Sequence, residues 1–153
     1  MRRIVNSLGG VTLGAAVMVQ GVSAFAADDI YLNDGSLIDY RQQIMKTMDA
    51  QVTAIGQVLT KTVPNENIVS HFEVLLATTI QAKVAFENKA LGGDSLPIIW
   101  DEWEHFSGLL DEAEKEIGIT ITRIKDVGPD AAWDASLSAL ACKSCHDTYR
   151  AKK

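Results

Sequence analysis

From about residue 36 onward, apolar side chains recur every three or four positions, the repeat that collects them on one side of an α-helix. In the first stretch Met45, Met48, Val52, Ile55 and Leu59 alternate between steps of three and four, which marks a seam facing other helices. Ser36 follows Asp34-Gly35 as an N-cap and Pro64 closes the stretch, so the pattern predicts a helix from about 36 to 61. A second helix begins near Asn65 and repeats through Ile68, Phe72, Leu75, Thr79, Ala82 and Phe86, ending before the Gly92-Gly93 loop. Pro97, tolerated at a first helical position, opens a third helix. Its Ile99, Trp103, Phe106, Leu110, Ala113, Ile117, Ile121 and Ile124 lie along one side. The β-branched residues between Ile117 and Ile124 would suit a strand taken alone. The unbroken seam and the lack of any partner strand pattern predict helix instead. Gly128-Pro129-Asp130 breaks the chain and starts a fourth helix with Trp133, Leu137 and Leu140. Four such helices with short connections predict an all-α, antiparallel four-helix bundle.

The beginning of the chain follows another pattern. Arg2 and Arg3 precede an apolar, glycine-containing run from Leu8 to Val19, and Ala24-Phe25-Ala26 forms a small-residue cleavage site. This is the layout of a secretory signal peptide, and the run is too short for a comfortable membrane span. Residues 1–26 are therefore expected to be removed, leaving 27–153 as one domain in the bacterial periplasm with no stable membrane anchor. Cleavage moves the formal charge from -6 to -8, because two arginines leave and no acid does. Such a charge disfavours nucleic acid and anionic membranes as partners.

The chemistry sits near the end of the last predicted helix, where Cys142-Lys143-Ser144-Cys145-His146 contains the only two cysteines of the chain. CxxCH is the attachment signature of haem c. Two thiols add across the porphyrin vinyl groups, and the adjacent imidazole binds iron. On a helix Cys142 and His146 lie one turn apart on one face, so a short segment holds both ring edge and metal. The alternatives are weaker. A thioredoxin-like CxxC needs a βαβ context. Structural zinc needs four ligands, whereas His71 and His105 stand alone upstream. A disulfide would be strained here and would leave His146 without a task. One covalent haem c with its iron is the expected cofactor. Its thioether bonds are not redox-labile as disulfides are.

A helical domain with CxxCH in its last helix resembles class II cytochrome c, the cytochrome c prime family, whereas class I members carry the motif near the N-terminus. Tyr40-Arg41-Gln42-Gln43-Ile44-Met45, Pro97 to Trp100, and His146-Asp147-Thr148-Tyr149-Arg150 carry the resemblance. It implies thioether links at Cys142 and Cys145, His146 as proximal ligand, and Arg41 and Arg150 close to the haem, with a propionate as the natural partner of a guanidinium. Met45 stands one turn after Arg41, where high-spin members usually carry an apolar residue such as leucine. The resemblance thus implies that the Met45 sulfur is a sixth ligand, placing the chain in a low-spin, methionine-ligated subgroup. A His/Met pair raises the reduction potential. The bland role for Met45 is core filler, and Met48 fits the seam better as packing.

The expected function is a periplasmic one-electron carrier between redox partner proteins in the periplasm or inner membrane, and not an enzyme. The alternative is a five-coordinate iron, unligated by Met45, that binds nitric oxide or carbon monoxide. Trp100, Trp103 and Trp133 are expected in the core or haem-pocket wall. His105 is expected at the surface beside acids, and His71 at the surface or in a satisfied polar contact. Members of the family often pair through their first two helices; monomer and homodimer are both open.

Overall fold

A computed structural model describes residues 34–140 and 142–152, with the side chains of 137 and 138 excepted. The signal-peptide expectation for residues 1–26 lies outside the described residues. The elements are α1 (Asp34–Leu59), α2 (Ile68–Glu87), a one-turn α3 (Ile98–Asp101), α4 (Trp103–Val127), α5 (Ala132–Ala139) and α6 (Cys142–Tyr149), with a 3-10 turn at Pro129–Ala131 before α5. Helix α1 packs on α2, α2 on α4 and α4 on α5, so the three long helices and the divided last one form the bundle. No described helix is long and apolar enough to cross a membrane.

The second predicted seam is the buried side of α2: Ile68, Phe72, Leu75, Thr79, Ala82 and Phe86 are all buried. On α4 the β-branched segment is helical, and Ile117, Ile121 and Ile124 face the core. Helix α1 is rotated slightly from expectation. Its buried line is Leu37, Arg41, Ile44, Ile55 and Val58, whereas Met45, Met48, Val52 and Leu59 are only half-buried beside it.

Two predicted helices are interrupted. The third bends at Glu102, whose φ of -115° and ψ of 38° leave the helical region. Hydrogen bonding continues across the bend, from Glu102 N to the Ile98 carbonyl at 2.9 Å and from Phe106 N to the Glu102 carbonyl at 3.0 Å. The fourth breaks at Leu140, with φ of -104° and ψ of 30°. The haem motif therefore begins its own eight-residue helix, α6.

The core falls into two groups. Ile55, Phe72, Leu75, Ile117, Ile121 and Ala139 centre the first. The second gathers Ile44, Ala82, Phe86, Ile99, Phe106 and Tyr149, with Met45, Trp100, Trp103 and Cys145 packed against it. Met48 touches both. The loop between α2 and α3 is seated on α1 at Gly92 (φ 137°), where a Cβ would stand 2.7 Å from Ile38 Cδ1. The same loop clasps the end of the chain: Leu96 N donates to the Tyr149 carbonyl at 3.0 Å and Ala151 N to that of Asp94 at 2.8 Å.

Candidate haem site

Helix α6 presents the attachment residues in graded exposure: Cys142 is exposed, Cys145 and His146 are half-buried, and Tyr149 is buried. Cys145 packs against the second core group, which Met45 of α1 also meets. The fold thus brings the first-helix methionine and the haem motif, about a hundred residues apart in sequence, to one apolar region. Neither cysteine is in a disulfide. Burial, followed by the neighbouring Cys142, pushes the Cys145 thiol up to about 11. The sulfur is therefore protonated at neutral pH. Burial, then the charge of Arg150, holds the His146 imidazole below its ordinary value, so its lone pair is free for a metal near neutrality. Two thiols and a neutral imidazole on one face of one helix form a donor set that fits haem c. Among the described residues no group of three or more His, Cys, Asp and Glu side chains converges to hold a bare metal ion.

The arginines differ. Arg150 is exposed at the end of α6, where its charge reaches His146 and its amide donates to the His146 carbonyl at 3.2 Å. Arg41 is 3 % exposed. Its Nε donates to the Ala85 carbonyl at 2.9 Å, Nη1 to the Ala90 carbonyl at 2.8 Å, and Nη2 to that of Asn88. The guanidinium also lies over two rings, 4.7 Å from the centroid of Phe86 and 5.1 Å from that of Trp100. The sequence suggested a propionate as its partner; the partners described are these carbonyls and rings, and the guanidinium closes the end of α2. Cations favour a helix C-terminus, where carbonyls lack partners.

Trp100 lies in the wall of this region, its Nε1 donating to the Phe86 carbonyl at 2.9 Å, and Trp103 packs there too. Trp133 does not: on the first turn of α5 it is 54 % exposed. His71 shares a 2.9 Å hydrogen bond with Gln51. His105 is exposed as expected, yet its Nδ1 lies 2.6 Å from the Tyr149 hydroxyl, which in turn donates to Glu102 at 2.9 Å. Sequence reasoning passed over this cluster. The signal was the tyrosine three residues after His146, on the inward side of the same helix.

An all-helical bundle with a cysteine pair and a histidine on its final helix defines the class: a monohaem c-type cytochrome of the four-helix-bundle type. The sequence model of the Cytochrome C′ family matches residues 36–150, and the chain belongs to that family. It is 27% identical over 120 residues to the cytochrome c′ of Alcaligenes xylosoxydans xylosoxydans, covering 76% of this chain and 94% of that one. Two solved structures of cytochrome c prime from Alcaligenes xylosoxidans match at 25% identity. One is a ferrous arginine variant with bound nitric oxide (TM-score 0.74, covering 80% of this chain and 99% of that one). The other is a leucine-to-glycine variant with bound carbon monoxide (TM-score 0.73, 79% and 98%). Members of the family bind one covalently attached haem c with iron, and this chain has the residues to do so.

The family assignment corrects the sequence expectation at one point. A low-spin, His146/Met45-ligated electron carrier is not what these relatives support, since cytochromes c′ are typically five-coordinate and the matched proteins hold diatomic gases. The physical reason lies in the surroundings of Met45. Its side chain is half-buried against an apolar group, where a flexible thioether serves as packing.

Proposed function

We propose that the protein is a five-coordinate haem c protein that binds nitric oxide or carbon monoxide on the side of the haem facing α1. The observation that carries this reading is the shared packing of Met45 and Cys145 against Ile44, Ala82, Phe86, Ile99 and Phe106. It gives the haem an apolar wall suited to a small neutral ligand. Cys142 and Cys145 would hold the porphyrin and His146 its iron. A bound haem would supply one ferrous coordination position for the gas, and Met45 would belong to the apolar wall beside it. The gas-bound relatives support the same reading. The family is mainly one of gas-binding haem proteins, so the proposed role is binding and not catalysis. Export through residues 1–26 would place the domain at 27–153 in the periplasm. Carbon monoxide needs ferrous iron, so a redox partner protein there or in the inner membrane would reduce it.

The test is the absorption spectrum of purified holoprotein, oxidised, reduced, and reduced with carbon monoxide. A broad high-spin ferrous spectrum that shifts on adding carbon monoxide is expected. A sharp low-spin spectrum that does not respond would overturn the reading.

A further inference from the structure

Helix α6 is eight residues long, too short to be stable on its own, and its placement must come from tertiary contacts. Of its described residues only Tyr149 is buried, at 2 % exposure. The phenol enters between the bend at Glu102 and the first turns of α4. Its ring stands edge-on to Phe106, with centroids 5.2 Å apart and planes at 83°. Its hydroxyl donates to Glu102 Oε2 at 2.9 Å. A phenol has a single proton, so the 2.6 Å contact with His105 Nδ1 is one in which the imidazole donates. Both of the bonds made by this hydroxyl therefore have a defined direction. Glu102 and His105 stand three residues apart at the start of α4, close enough to reach the same hydroxyl. His146 precedes Tyr149 by three residues, about one turn, on neighbouring positions of the same helix face. A rotation of α6 that moved the phenol would move the imidazole with it.

We propose that Tyr149, held by Glu102 and His105, is the positioning residue of the proximal side. It sets the roll of α6 and so the angle at which His146 meets the iron, which tunes both reduction potential and gas affinity. Groups outside the metal's own ligands commonly orient an axial histidine. Here the orienting contact acts one turn along the helix. The effect on gas affinity rests on the proposed gas-binding function; the effect on potential does not.

The experiment uses the exported holoprotein and three variants, with reduction potential, carbon monoxide dissociation constant and thermal midpoint measured on each. Tyr149→Phe keeps the ring packing and removes both hydrogen bonds. Glu102→Leu removes the acceptor alone, and Glu102→Gln retains a carbonyl acceptor for the phenol. The expected result is a shifted potential and a change of about threefold in the dissociation constant for Tyr149→Phe and Glu102→Leu, of the order of one weakened hydrogen bond. Glu102→Gln should keep the unaltered values. If Tyr149→Phe and Glu102→Leu keep the original potential and affinity, whatever their thermal midpoints, the proposal is overturned. Should Tyr149→Phe fail to mature with haem, Glu102→Leu decides by the same criterion. If the unaltered protein binds no carbon monoxide, the gas-binding function falls, and the potentials still decide whether Tyr149 positions His146.

Discussion

A buried guanidinium is costly unless its donors are satisfied, and Arg41 meets that condition with three backbone carbonyls and two aromatic faces. Removing it strands carbonyls at the end of α2. Arg41→Met, of similar length but without donors, should lower the unfolding free energy by about 3 kcal/mol, the cost of charged hydrogen bonds lost with their acceptors left buried; denaturant titration checks this. Met45 is the contrasting case. As a wall residue it should tolerate Met45→Leu with less than about 1.5 kcal/mol of destabilisation, because the two side chains have similar volume. The absorption spectra of the reduced protein, with and without carbon monoxide, should match those of the unaltered protein. Loss of a sharp low-spin spectrum on this substitution would restore the sulfur as a ligand.

Among the elements, the loop between α2 and α3 serves the site from outside it, being seated on α1 at Ile38 and clasping the chain after α6. Gly92 has the positive φ that L side chains avoid, and its missing Cβ makes room for Ile38. Gly92→Ala should cost about 1–2 kcal/mol, through strain and the displaced isoleucine. Gly56 lies inside α1 with open space around its absent Cβ. There Gly56→Ala should stabilise by up to about 1 kcal/mol, since alanine is the better helix former. Opposite signs of thermal shift for the two variants would check both. Between α2 and α4, Lys83–Asp111 at 2.5 Å and Lys125–Glu73 at 2.7 Å are part-exposed pairs. Each contributes less than about 1 kcal/mol, so the apolar faces and not the charges set how these helices pack.

For the molecule as a whole, alkaline pH probes the anchoring of α6. Burial, then the hydrogen bond to Glu102, pushes the Tyr149 phenol from its ordinary 10.0 up to about 12. In that interval the folded protein keeps a proton that the unfolded chain has released, so stability falls as pH rises. The contribution is complete below about pH 10 and is lost on passing through about pH 12. Unfolding midpoints measured across this window should drop for the unaltered protein and drop less for Tyr149→Phe, which has no phenol to titrate.

The all-helical fold and the need for one covalent haem c were legible in the chain itself. A period near 3.6 reports which residues share a helix face, and the α2 seam from Ile68 to Phe86 is buried as that period requires. The haem motif is equally local, since Cys142, Cys145 and His146 fall within five consecutive residues. Residues that act across the bundle were a different matter. Arg41 read as a propionate contact, whereas its described partners are carbonyls at the end of α2, reached only because two helices pack at that height. Tyr149 meets Glu102 and His105 only because α6 packs against the start of α4, a contact that periodicity does not register. The role of Met45 could not be settled by its place one turn after Arg41. A thioether packs in an apolar wall or binds a metal according to what folding brings opposite it, and that depends on contacts between helices far apart in sequence.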